Sequence, residues 1–277
     1  RERLFYKTAA ERVGGRLAFV FPGSGNTFAE MGRELAARWP EVARAQDLEN
    51  ESLASQMHTE IFWNCGADWR APQDHRALIR GQVALGTWMA DLARRFGLRP
   101  RAAIGYSLGE STSLFALRAW TARDEMWRRM EASTLFTRDL AGDPEILGRF
   151  WNLEPGQTAA WGAGLVDRPV VSVRALLGEY PRVYVLIVNT PQECVIGGDA
   201  SQVKLLVERL GCHWWPLEGV TTVHCELLRP FETAYRELHR FETFAPEGVQ
   251  FYSGAWGHAY VPDRETAADA IVAQARD

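Results

Sequence analysis

The sequence predicts an α/β protein of two lobes, and three observations predict it. Apolar runs of strand length alternate with longer segments whose apolar residues recur at helical spacing. A glycine-flanked serine, in Gly105-Tyr106-Ser107-Leu108-Gly109, falls between one such strand and one such helix. Residues 143–219 break into short segments in the order β-α-β-β-α-β, which is the ferredoxin-like order. The first two observations define a large lobe, residues 1–142 with 220–277, and the third a small lobe inserted at 143–219, with junctions near Gly142 and Gly219.

Taken in order, Arg16 to Phe21 is a short apolar run ended by Pro22-Gly23-Ser24-Gly25-Asn26, and Met31, Leu35 and Trp39 follow at helical spacing, which reads as strand, tight loop, helix. Residues 47–74 turn polar. Leu78, Val83, Leu85, Trp88, Met89, Leu92 and Phe96 then mark a long helix closed by Gly97. Ala102 to Gly105 is a second buried strand, and the apolar stretch after Gly109, up to Trp120, a helix. Asp124 to Leu140, with Met126, Met130, Leu135 and Phe136 on one side, predicts one further helix. In the small lobe the expected strands are Ala159 to Val166, Val183 to Val188, Cys194 to Ile196 and His213 to Leu217, with helices at Val170 to Leu177 and Ser201 to Leu210.

Composition excludes several classes. With 277 residues, 47% hydrophobic and 24% charged, the chain is globular and long enough for a sizeable core. A net charge of −4 offers no electrostatic footprint for nucleic acid or anionic lipid, and no apolar run approaches a membrane span, so neither partner is expected. Cys65, Cys194, Cys212 and Cys225 form no CxxC pair, which argues against a zinc site or a disulfide framework and for a reducing, cytoplasmic location. The first residue is Arg1, and the last, Asp277, comes two residues after the helix-like run Ala267 to Ala275 with no terminal punctuation, so a piece of a longer polypeptide is expected.

The chemistry centres on Ser107. Flanking glycines permit the sharp strand-to-helix turn that thrusts a serine hydroxyl from a sheet edge, beside the helix amino terminus and the Leu108 N–H. A glycine-flanked serine can also merely cap a helix, and the preceding strand favours the nucleophile. An unactivated serine needs a base. Of six histidines, His58, His75, His213, His239 and His258 have nothing to recommend them, whereas His224 lies where the chain re-enters the large lobe, a place for a cleft. On spacing alone a structural role for His224 is equally open.

Phe21-Pro22-Gly23-Ser24-Gly25-Asn26, Gln82-Val83-Ala84-Leu85, Gly105-Tyr106-Ser107-Leu108-Gly109-Glu110, Asn189-Thr190-Pro191 with Val195-Ile196-Gly197-Gly198, and His224-Cys225 with Pro230 come in an order that resembles malonyl-CoA:acyl-carrier-protein transacylases and the acyltransferase domains of polyketide synthases. The Ser-Gly-Asn loop, the Tyr before the serine and the segment Val188 to Gly198 look most like acyltransferase domains of bacterial polyunsaturated-fatty-acid synthases. The resemblance implies an α/β-hydrolase-like large lobe and a Ser107–His224 dyad that passes an acyl group from a CoA or phosphopantetheine thioester, through an acyl-serine, to an acyl-carrier-protein thiol, with no bound cofactor or metal. It implies backbone oxyanion donors at Ser24 and Leu108, a His-orienting carbonyl at Gln274, substrate contacts at Gln82, Asn189 and Val223, and neighbouring synthase domains such as a ketosynthase.

The departures from that pattern matter too. Family members that use malonyl groups clamp the free carboxylate with an arginine at the position held here by Ala132. Arg128 lies one turn earlier, within reach of the same cleft, although Arg128 and Arg129 read as a solvated face. Without the cation, carboxylate burial beside Ala132 and Val223 costs several kcal/mol, so a neutral acyl chain is expected. The family also continues with a further strand and helix after the segment matching Gln274. Competing readings are a thioesterase that gives the same acyl-serine to water, a malonyl or acetyl loading transferase, and an inactive docking domain of a megasynthase. The small lobe between Ser107 and His224 argues against an ordinary α/β-hydrolase.

Overall fold

The computed structural model describes residues 16–52, 57–64, 69–70, 74–154 and 156–276. Cys65 and residues 1–15 lie outside them. Two four-stranded sheets organise the described chain. In the first, β1 (Ala18–Phe21), β2 (Ala102–Gly105) and β7 (Gln250–Tyr252) run parallel in that spatial order, and β8 (Ala259–Tyr260) closes the edge antiparallel to β7. A parallel neighbour needs a crossover, and the 21-residue helix His75–Arg95 lies in the one between β1 and β2. Asp74 caps it, accepting from the Arg76 N–H, and Val83, Ala84, Trp88 and Leu92 are buried along it. The core under this sheet joins Phe21, Ala103 and Phe251 to Leu114, Phe115 and Trp120, and to Tyr235, Phe241 and Ile271 from later in the chain.

The second sheet has the order β4-β5-β3-β6, antiparallel throughout, from β3 (Trp161–Val166), β4 (Val183–Thr190), β5 (Glu193–Asp199) and β6 (Trp214–Pro216). This is the ferredoxin-like arrangement that the segment order predicts. Helices Val170–Leu176 and Ala200–Leu210 cover one face through Val173, Val203 and Leu206. On the other face Leu147 of helix Pro144–Phe150 packs with Leu186 and Val195, and also with Cys225 and Leu227. Cys225 directly follows His224 and Leu227 lies three residues after it, so the packing of the small sheet fixes the segment that bears the histidine.

Two sequence expectations change. The single helix expected over Asp124 to Leu140 is broken: helix Arg123–Glu131 stops, and a π turn, Leu135–Asp139, follows. Ser133 and Thr134 provide the reason. The Ser133 hydroxyl accepts from the Leu135 N–H at 3.2 Å and the Thr134 hydroxyl donates to Asp139 at 2.6 Å, so side chains compete with the helical ladder there. Arg129 does not lie on a solvated face either. It donates to the Glu237 and Arg240 carbonyls at 2.9 and 3.0 Å and covers the Phe241 ring at 4.5 Å, whereas Arg128 is exposed and paired with Glu125. No helix among the described residues is long and apolar enough to cross a membrane.

Candidate active site

Ser107 sits between β2 and helix Leu108–Ala116 with φ 53° and ψ −120°, a strained conformation for a residue with a Cβ. Two glycines make the turn possible. A Cβ at position 105 would fall 2.0 Å from the Glu110 nitrogen, and one at position 109 would fall 2.1 Å from the Phe21 carbonyl oxygen. The helix therefore starts directly on the strand end and tight against β1. The Tyr106 N–H donates to the Phe21 carbonyl at 3.0 Å, which holds the elbow to the first sheet.

The Ser107 Oγ lies 2.8 Å from the His224 Nε2. His224 is buried, with φ 64°, and its N–H donates to the Ala275 carbonyl at 2.5 Å. Its Nδ1 bonds the Gln274 carbonyl. A carbonyl only accepts, so the proton is on Nδ1 and Nε2 presents a lone pair to the serine hydroxyl. Burial drives the imidazole down to about 4, against the Gln274 bond, which favours the charged form, so the ring is neutral near pH 7. A serine hydroxyl donating to a neutral, carbonyl-anchored imidazole can lose its proton as it attacks an acyl carbon. The neighbouring Cys225 thiol is pushed up to about 12 by burial and does not compete as a nucleophile.

Ser24 shares a cleft with Ser107, Leu108, Val223 and Gln274. Leu108 opens its helix, so its N–H has no partner within the helix. The loop bearing Ser24 is braced from behind. The Gln82 and Asn26 amides both donate to the Gly23 carbonyl, at 2.8 and 2.9 Å. Gln82 thus supports the loop and is not among the residues lining the Ser107 cleft. Asn189 is pinned between lobes: the Tyr106 hydroxyl donates to its Oδ1 at 2.8 Å and its Nδ2 donates to Glu193 at 2.9 Å. Ala132 is exposed at the end of helix Arg123–Glu131 and does not line the cleft, so it neither makes nor vacates a contact there.

The cleft wall comes instead mostly from residues that carry no motif, Phe115, Met126, Met130, Phe136, Tyr235 and His239 among them, together with Val83 of the Gln82-to-Leu85 motif. Met126, Met130 and Phe136 are the side predicted for the broken helix, which the structure turns toward Ser107. Tyr235, Leu238 and His239 recur at helical spacing, a signal visible in the sequence without the direction of the face. No Lys or Arg lines the cleft among the described residues. Glu110, one turn after Ser107, is buried. Its Oε1 accepts from the Gly254 N–H at 2.6 Å, and burial raises its pKa to about 7.

No protein-family model matches the chain. Over 92% of its length it is 25% identical to a hybrid PKS-NRPS synthetase of Aspergillus violaceofuscus, of which it covers 7%. The chain spans only 4 to 8% of the length of such curated polyketide-synthase relatives. Among solved structures it is similar to the acyltransferase domain of module 8 of the salinomycin polyketide synthase, with TM-score 0.74, 21% identity, and coverage of 94% of this chain and 58% of that one. It is also similar to a malonyl-transacylase solved in complex with a type II polyketide acyl-carrier protein, with TM-score 0.72, 17% identity, and coverage of 95% and 82%. The chain has the fold of acyltransferase domains of polyketide synthases and of carrier-protein transacylases, and it resembles the former in sequence.

Proposed function

We propose that the chain is an acyltransferase that moves a neutral acyl group from a CoA or phosphopantetheine thioester to an acyl-carrier-protein thiol, with Ser107 and His224 as its dyad. The observation that carries this reading is the relay from the Ser107 Oγ to the His224 Nε2 at 2.8 Å, with Nδ1 anchored on the Gln274 carbonyl. Ser107 attacks the thioester carbonyl as Nε2 takes the hydroxyl proton. The N–H groups of Leu108 and Ser24 hold the oxyanion. The C–S bond breaks, the departing thiolate receives the proton from His224, and the acyl-serine remains. In the second half His224 takes the proton of the carrier thiol, whose sulfur attacks the acyl carbon; the C–O bond to Ser107 breaks, and the Oγ regains its proton from His224.

The uncharged wall of the cleft supports a non-malonyl chain, because a free carboxylate would meet apolar groups, hydroxyls, Gln274 and a neutral imidazole but no cation. The complex in which a structural relative meets its carrier protein supports the same class of partner here. The motif likeness to polyunsaturated-fatty-acid synthases supports a place beside a ketosynthase in a cytoplasmic synthase. In this reading residues 143–219 are the small lobe, which meets Tyr106 beside the nucleophile through Asn189, and residues 1–142 with 220–277 the lobe that bears the dyad and lines its cleft. The test is incubation with acetyl-CoA and a holo carrier protein, with intact-mass detection of the acetylated carrier. Transfer that requires Ser107 is expected. Release of free acetate alone, or no turnover with any acyl thioester, contradicts the proposal.

A further inference from the structure

His239 borders the same cleft as Ser107, and nothing in the dyad uses it. Its Nδ1 lies 2.8 Å from the Tyr235 carbonyl oxygen, which only accepts, so Nδ1 bears the proton. Burial holds the ring's pKa down at about 4, which keeps it neutral where carrier-protein chemistry runs. Nε2 is then an unprotonated acceptor, and it has no hydrogen-bond partner among the described residues. The ring cannot turn freely to find one. Tyr235 packs against it with centroids 4.6 Å apart, and Trp120 stands behind at 6.4 Å. Phe115, Met126 and Leu238 of the same cleft are apolar and offer the ring no hydrogen bond.

We propose that His239 determines specificity by accepting, through Nε2, a hydrogen bond from a hydroxyl group on the acyl chain, so that the preferred cargo is a hydroxyacyl group. This inference rests on the acyltransferase reading of Ser107 and His224 and names the substrate class of that site. A saturated chain of equal length would lay a methylene over Nε2 and leave a desolvated acceptor unpaired. A site built around an acceptor discriminates against the analogue that lacks the donor. The group on the cargo must be a donor, and a hydroxyl is the uncharged donor that the apolar wall accommodates at least cost.

The experiment pairs butyryl-CoA with 3-hydroxybutyryl-CoA, and hexanoyl-CoA with 6-hydroxyhexanoyl-CoA, each equimolar, and follows Ser107 labelling by intact mass. At least one hydroxylated member should label the wild-type protein about five- to tenfold faster than its partner, the worth of one neutral hydrogen bond. His239→Leu should bring that ratio to about one, and His239→Gln, whose carbonyl oxygen still accepts, should keep part of it. Equal labelling within both pairs by the wild type, or a preference unchanged in His239→Leu, overturns the inference while the acyl-serine stands. Absence of any label on wild-type Ser107 overturns the acyltransferase reading itself, and this inference with it. Should His239→Leu fail to fold, the wild-type ratios and His239→Gln decide alone.

Discussion

Ser107 is legible in the sequence because its requirement is local: a strand must turn into a helix with no room for a Cβ at positions 105 and 109, and only glycine meets that on both sides. His224 is a different case. Nothing within its own segment distinguishes it from five other histidines, and the resemblance to a known family singles it out. What makes it fit for the task is remote in the chain, since the Gln274 carbonyl that sets its tautomer belongs to helix Arg264–Arg276. His239 escapes sequence reading for the same reason, because whether that face meets solvent or the cleft depends on packing against Phe115 and Met126. Two outcomes follow from the His224 environment. Acylation of Ser107 should stay constant from neutral pH down to about 5 and fall as the pH drops through about 4, because the base must be neutral and its pKa is depressed. Stopped-time labelling across that range checks this, and a midpoint near the ordinary histidine value would contradict it. His224→Ala should slow acylation by roughly 10² to 10⁴, with the oxyanion donors supporting the residue of the rate. An unchanged labelling rate in that variant would remove His224 from the mechanism.

Elements were legible in proportion to how much of their pattern is local. The long helix His75–Arg95 and the small-lobe segments follow their apolar spacing closely. β7 has three residues, and it exists as a strand because β2 offers it a parallel edge, which no pattern within Gln250–Tyr252 reveals. The break at Ser133 and Thr134 does not show in the apolar pattern, because the periodicity continues across it while hydroxyls interrupt the ladder. Helix Leu108–Ala116 carries a testable electrostatic signature in Glu110, which ties its first turn to the Gly254 N–H at 2.6 Å and leaves Oε2 buried without a partner among the described residues. Its folded pKa of about 7 stands above the 4.5 of an unburied glutamate, so the folded chain holds this proton more tightly than the unfolded one. The stability it contributes is complete below about 4.5 and is lost as the pH rises through about 7. Glu110→Gln keeps an oxygen for Gly254 and removes the titration. Denaturant unfolding should show the variant gaining on wild type by about 3 kcal/mol between pH 4.5 and 8. A pH-independent difference would mean that Glu110 is not buried as a neutral acid.

Over the whole molecule, both sheets help to position the dyad. One supplies Ser107 through its strand-to-helix turn, the other anchors the segment just after His224 through Cys225 and Leu227, and Tyr106 reaches Asn189 between them. The lobe order was readable from the segments, but the make-up of the cleft was not, and Ala132 shows why. The family resemblance places position 132 in the cleft, whereas the break after Glu131 leaves it exposed. Ala132→Arg should therefore leave the acetyl-to-malonyl labelling ratio within about twofold of wild type, since an exposed cation is solvated and screened. A shift toward malonyl of tenfold or more in that variant would return position 132 to the cleft. The account as a whole requires that one hydroxyl, Ser107, accept a neutral acyl group. Intact-mass spectrometry of wild type and Ser107→Ala after brief incubation with an equimolar acetyl-CoA and malonyl-CoA mixture tests this most directly. The account predicts a single, predominantly acetyl adduct on the wild type and none on the folded variant. A predominantly malonyl adduct, or an adduct that survives Ser107→Ala, would contradict it.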